Sequence, residues 1–157
     1  MNVDLSGHGS YEILNKNIQK YGNHELVDIF SDSSLNLLSS DIISKTGKVR
    51  ILSIDGGHTP EVVLNDFELG ESLLVKGGVI ILDDYFNAAW PGVSEGTNEY
   101  FLKNKSGLRP FAISPNKIFF TNDREISIQY FNFLKIAFLD KFLKTTKMFG
   151  YDVIVLQ

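Results

Sequence analysis

Apolar and polar positions are most clearly ordered over residues 50–86, RILSIDGGHTPEVVLNDFELGESLLVKGGVIILDDYF. Residues 49–54 form a short β-rich run that ends at Asp55. Gly56 and Gly57 then permit a tight turn close to a ligand. Thr59 and Pro60 carry a helix-start signature, hydroxyl at the N-cap and proline at the first helical position. Val63, Phe67, Gly70 and Leu74 recur at i, i+4, i+7 and i+11, which is one face of a helix. Gly77 and Gly78 are expected to stop it. Residues 79–82 are wholly apolar, as in a strand covered on both faces, and run into Asp83 and Asp84. Strand, crossover helix and second strand make a right-handed βαβ unit.

The flanking chain is read by the same rules. Ser10 is expected to cap a helix to about Tyr21, with Tyr11, Leu14 and Ile18 on one face. Residues 25–30, ELVDIF, read as a strand, and 35–45 as a helix with Leu38 and Ile42 inward. A helix over 94–103 follows a loop holding Trp90. Residues 109–113 and 117–121 are β-rich and split by Ser114-Pro115-Asn116, which predicts a hairpin. Residues 124–147, rich in Phe and Tyr, read as one long helix with apolar groups on several faces, so much of it is expected in the core or an interface. Residues 151–156 read as a last strand. Residues 1–9 read as a loop.

Composition narrows the classes. A chain of 157 residues with 43% hydrophobic and 22% charged residues is expected to form a single domain with its own core. Formal charge is −4, so nucleic acid is not an expected partner. Without cysteine there is no disulfide, thiolate metal site or Cys nucleophile. No apolar run approaches the roughly 20 residues of a membrane span, and no secretory signal is visible, so a cytoplasmic location is expected, without a membrane partner.

Two successive strands thus each release a carboxylate at their C-terminal end, where ligands of open α/β sheets bind. Asp55, His58, Asp83 and Asp84 are expected to converge there. Clustered carboxylates repel, and a hard divalent cation such as Mg2+ relieves this. Strand-end aspartates also serve as caps and turn residues, and that reading stands beside the metal one. His58 can take a proton from a substrate hydroxyl or merely bond the turn. Asp32, in FSDSS, can accept from an adenine amine or a ribose hydroxyl, or cap the next helix; pattern alone favours the cap. Trp90 can line a pocket or anchor packing. His8 and His24 read as loop residues, SGHG at 6–9 is too short to count as a phosphate loop, and no GxGxxG, P-loop or GxSxG is present.

The order SDS, IDGGH, helix, GGVIILDDY and hairpin resembles the class I S-adenosylmethionine-dependent methyltransferases, most closely their small-molecule O-methyltransferase branch. The resemblance implies a Rossmann-like α/β sheet and methyl transfer from S-adenosylmethionine to a hydroxyl of a small-molecule acceptor. It puts Asp55, Asp83 and Asp84 at metal positions, Ser31, Asp32 and Ser33 beside the adenine, and His58 where catechol-type relatives carry a Lys base. The family pattern opens with a strand, a Gly-rich turn and a helix, then a strand ending in an acidic residue. This sequence shows none of these, and Asp4 follows no strand. A partial domain is therefore expected, incomplete at the N-terminus, with a C-terminal antiparallel hairpin at one end of the sheet. It would close its sheet differently, pair with another chain, or remain incomplete. The competing expectation is a non-catalytic module that forms a homo-oligomer or binds another protein.

Overall fold

The computed structural model describes residues 10–103 and 106–157. The loop at 1–9, with Asp4, His8 and SGHG, lies outside them, as does Lys105. Helix α1 (Tyr11–Tyr21) is capped by Ser10, whose hydroxyl accepts from Ile13 N at 3.3 Å. Two 3-10 turns follow, His24–Leu26 and Ser34–Asn36, and then helix α2 (Ser39–Thr46). The central unit is strand β1 (Val49–Ile54), helix α3 (Pro60–Leu73) and strand β2 (Leu74–Asp83). Helix α4 (Pro91–Lys103), hairpin strands β3 (Arg109–Ile113) and β4 (Lys117–Thr121), helix α5 (Arg124–Ala137) and strands β5 (Phe142–Met148) and β6 (Tyr151–Leu156) complete the chain.

The six strands form one sheet in the order β1-β2-β4-β3-β6-β5. β1 and β2 are parallel, as are β3 and β6; β4 and β5 run against their neighbours. Four strands therefore point one way, giving the sheet a common C-terminal edge in a mixed, open, Rossmann-like α/β arrangement. Alternate residues of each strand serve opposite faces. Ile80 and Leu82 of β2 and Ile118 and Phe120 of β4 join Val63 and Phe67 of α3 and Val93 and Tyr100 of α4. On the other face, Val79, Phe111, Phe119 and Ile154 meet Tyr130, Phe131 and Leu134 of α5. The apolar run of β2 is covered on both sides, as its composition predicts.

Five expectations are corrected. Among the described residues, 25–30 pair with no strand; they form a 3-10 turn and an extended segment, largely exposed. Residues 35–45 are not one helix, because Leu37 and Leu38 are extended between the 3-10 turn and α2. The helix at 60 ends at Leu73 rather than at the glycines. Gly77 and Gly78 instead lie inside β2, in a bulge across which the register with β1 shifts. Gly77 has φ +73, and a Cβ there would stand 2.2 Å from Ile126 Cδ1, so the bulge makes room for α5. Finally, 124–147 breaks after Ala137, and 142–148 pairs with β6. Thr145 and Thr146 favour a strand, and Phe149 and Gly150, both at positive φ, form the two-residue turn that joins it to β6. The hairpin consequently lies inside the sheet, between β2 and β6, not at its end.

The site's frame is locked at two places. Gly92 and Gly96, one turn apart on α4, press against the start of α3: a Cβ on Gly92 would lie 2.3 Å from the His58 carbonyl oxygen, and one on Gly96 2.5 Å from that of Pro60. At the far end of α3, Tyr100 donates its hydroxyl hydrogen to Glu71, which also accepts from Gly107 N at 2.8 Å. Burial, then Glu71, pushes the Tyr100 hydroxyl pKa well above its usual value, so it remains a donor.

Candidate functional site

The C-terminal ends of β1 and β2 bring their loops together. Asp55 leaves β1, His58 follows the Gly56-Gly57 turn, and Asp84 follows β2. One ligand atom from each lies within 4.8 Å of the others. His58 Nε2 is 3.5 Å from Asp84 Oδ2, and the imidazole stacks on Trp90 with ring centres 4.3 Å apart and planes 15° from parallel. Thr59 occupies the N-cap position of α3, but its hydroxyl makes no capping bond.

Asp84 is held in a demanding conformation. Its φ is +60, in the left-handed region that a non-glycine residue enters only under constraint. Its backbone N donates to Asn116 O at 3.0 Å, and its Oδ1 accepts from Asn87 Nδ2 at 3.0 Å and Asn116 Nδ2 at 3.1 Å. These bonds, led by Asn87, with Lys117 adding positive charge, outweigh burial and hold its carboxyl below the usual carboxylate pKa. Asp84 is thus fixed as an anion. Tyr85 anchors the same loop to α4 by donating to Asn98 Oδ1 at 3.0 Å.

Asp83 has different company. It accepts from Lys117 and Asn116 of the β3–β4 hairpin, and one of its oxygens also accepts from Asp84 N at 3.0 Å. The structure therefore groups Asp55, His58 and Asp84 and pairs Asp83 with a lysine. Asp55 is exposed and makes no side-chain hydrogen bond among the described residues. Two carboxylates and an imidazole converging on one point are a donor set that fits a divalent cation.

A cavity of about 590 Å3 opens beside this group, along β1 and α3. Asp32, Ser33, Asp55 and Gly56 line it, together with Asp66; Ser31 does not. Asp32 accepts from Ser33 N at 2.7 Å and Asn36 Nδ2 at 2.9 Å, so its carboxylate organises its own turn while facing the cavity. It follows an unpaired segment, not the expected strand. Asp66 Oδ1 is buried without a hydrogen-bond partner among the described residues, and burial raises the Asp66 pKa.

Asn87, Asn116 and Lys117 were invisible as site residues in the sequence. Ser114-Pro115-Asn116 signals a turn, but only the antiparallel register of β2 and β4, with Asp83 opposite Lys117, brings that turn to the aspartates.

The profile of a family described as "Methyltransferase domain" matches residues 2–85, which is 84 of the 157 residues. The match contains Asp32, Asp55, His58, Asp83 and Asp84. The chain is also similar to "Uncharacterized protein R132" of Acanthamoeba polyphaga mimivirus, at 38% identity over 60 residues, covering 38% of this chain and 27% of that protein. The similarity thus spans about a quarter of the relative's length.

Proposed function

We propose, from the premise that this chain belongs to the methyltransferase-domain family, that it transfers a methyl group from S-adenosylmethionine to a hydroxyl of a small molecule, assisted by a divalent cation. The observation that supports this best is the convergence of Asp55, His58 and Asp84 within 4.8 Å at the C-terminal edge of the sheet. The donor would lie in the cavity lined by Asp32, Ser33 and Gly56, and the acceptor hydroxyl would meet His58.

His58 takes the hydroxyl proton. Asp84, kept ionised by Asn87 and Asn116, stabilises the imidazolium that results, and Trp90 restricts the ring's orientation. A new bond forms between the acceptor oxygen and the methyl carbon as the bond from that carbon to sulfur breaks, and the electron pair leaves with the neutral thioether. The sulfonium is already a good leaving group, so the protein chiefly supplies alignment. A cation held by Asp55 and Asp84 would add Lewis acidity at the acceptor oxygen. Asp83, bound to Lys117, would join those ligands only by giving up that pair. With carboxylate ligands alone the site prefers Mg2+ or Mn2+; were His58 itself a ligand, Zn2+ and Ni2+ would compete well.

The test is transfer of labelled methyl to a panel of phenols, catechols and sugars. His58→Gln should lower the rate by about 10²- to 10⁴-fold, the usual share of a general base. An unchanged rate in that variant would remove His58 from the chemistry.

A second reading, association with itself or another protein, is favoured by a specific observation. Among the described residues β1 pairs only with β2, and Ile51 on that strand is 67% exposed; Leu26 and Tyr21, earlier in the chain, are 83% and 75% exposed. An unpaired strand edge that exposes an apolar side chain invites pairing with another chain. Sedimentation analysis decides it: a concentration-dependent dimer supports association, and a monomer at all concentrations argues against self-association.

A further inference from the structure

The opposite edge of the sheet carries a second cavity, of about 620 Å3, between α5 and the starts of β3 and β6. Its walls are basic. Arg109 sits opposite Thr121, the last residue of β4, three positions before Arg124 opens α5. Arg109 and Tyr151 open the parallel neighbours β3 and β6, and the Arg109 guanidinium lies 5.0 Å over the Tyr151 ring. Arg124, Ser127, Phe131 and Lys135 follow at i, i+3, i+7 and i+11 along one face of α5. Lys135 therefore lies about 16 Å along the helix from Arg124, at 1.5 Å rise per residue.

These three cations have no carboxylate partner among the described residues. The cavity's one carboxylate, Asp152, accepts from Lys147 at 2.9 Å, a lysine outside the lining. Arg109 and Lys135 instead lie over aromatic rings, Lys135 at 5.7 Å from the Phe142 ring centre. Uncompensated positive charge concentrated in one hollow of a chain whose formal net charge is −4 is the complement of an anion. Each guanidinium presents a planar fork that matches phosphate oxygens two at a time, and the Tyr151 ring beneath Arg109 limits that side chain's freedom. The volume suits a small molecule.

We propose that this cavity binds a phosphorylated small molecule, with the phosphoryl group between Arg109 and Arg124 and an apolar or ring-shaped body along Phe131 toward Lys135. The common strand direction sets this site at the N-terminal ends of β3 and β6, away from the aspartates, so it is independent of the methyl-transfer reading. It would serve as a second site through which a phosphorylated compound is sensed.

The experiment is calorimetric titration of the whole chain with phenyl phosphate and, separately, inorganic phosphate at low ionic strength. Phenyl phosphate should bind at one site and more tightly than inorganic phosphate. Arg124→Gln with Lys135→Gln, two exposed changes on α5, should weaken it by roughly tenfold or more, the worth of a charge-assisted bond. Arg109→Gln should do the same if it folds, and Asp84→Asn should leave the affinity unchanged. No saturable binding by folded protein up to about 10 mM, a level that would mean a free energy weaker than about 3 kcal/mol, overturns the proposal. So does equal binding by the double variant, or tighter binding of an acidic peptide, which would make this face a protein-docking surface.

Discussion

Residues 10–53 and residues 54–157 obey different packing rules. Among the described residues, none of the first stretch is buried, whereas every core side chain lies at or beyond Ile54. Yet α1 has the more sharply two-sided sequence: Tyr11 and Leu14 share a face and remain 54% and 47% exposed, while α3, less asymmetric, is pinned between the sheet and α4. Amphipathic pattern measures the contrast between two faces of a helix; it does not say whether anything covers the apolar one. A helix covered on several sides loses contrast because it is buried.

Substitutions should separate the two stretches by stability. Phe67 is fully buried and touches Tyr100, Phe101 and Phe120. Phe67→Ala should cost about 3–5 kcal/mol in urea unfolding. Tyr100→Phe removes the donor to Glu71 and should cost about 1.5–3 kcal/mol, as for hydrogen bonds to charged groups. Gly96→Ala drives a methyl toward the Pro60 carbonyl and should cost about 1–3 kcal/mol. Because that contact borders the His58 loop, the fluorescence of Trp90, the one tryptophan, should shift as well.

Two aspartates should respond to pH in opposite directions. The Asp84 carboxyl is depressed below its ordinary 3.8, so its contribution is present above 3.8 and is lost as pH falls through the lower folded value. The Asp66 carboxyl is raised, so its contribution is complete below 3.8 and is lost as pH rises through the folded value. Asp66→Asn should therefore stabilise the protein at neutral pH, and Asp84→Asn should destabilise it there, with the two profiles diverging on the acid limb of a urea-midpoint series. The smallest effect belongs to the first stretch: Leu26→Ala should change stability by no more than about 0.5 kcal/mol. A large loss there would mean that Leu26 is covered in solution.

The same contrast explains what could be read from the sequence. The βαβ unit was legible because Thr59-Pro60, the face of Val63, Phe67 and Gly70, and the apolar run into Asp83 all point to one local answer. The hairpin and the last strand were legible for the same reason. Residues 25–30 have strand-like composition but, among the described residues, no neighbour to pair with. Residues 142–148 follow a helical run without a proline or glycine to separate them, and their strand state depends on β6. In the site, Asp55, His58 and Asp84 could be placed at one edge from strand ends alone. The pairing of Asp83 with Lys117, and the support of Asp84 by Asn87 and Asn116, arise from the register of β2 with β4, a tertiary fact.

The most direct measurement of the central claim is calorimetric titration of the folded chain with S-adenosylhomocysteine, with and without Mg2+ or Mn2+. Saturable micromolar binding to the wild type, weakened in a variant combining Asp32→Ala and Ser33→Ala, is the predicted result. It would locate the donor in the cavity beside Asp55. No binding up to millimolar concentration by a folded sample would contradict the account, and would leave the crevice of Asp55, His58 and Asp84 without a methyl donor to serve.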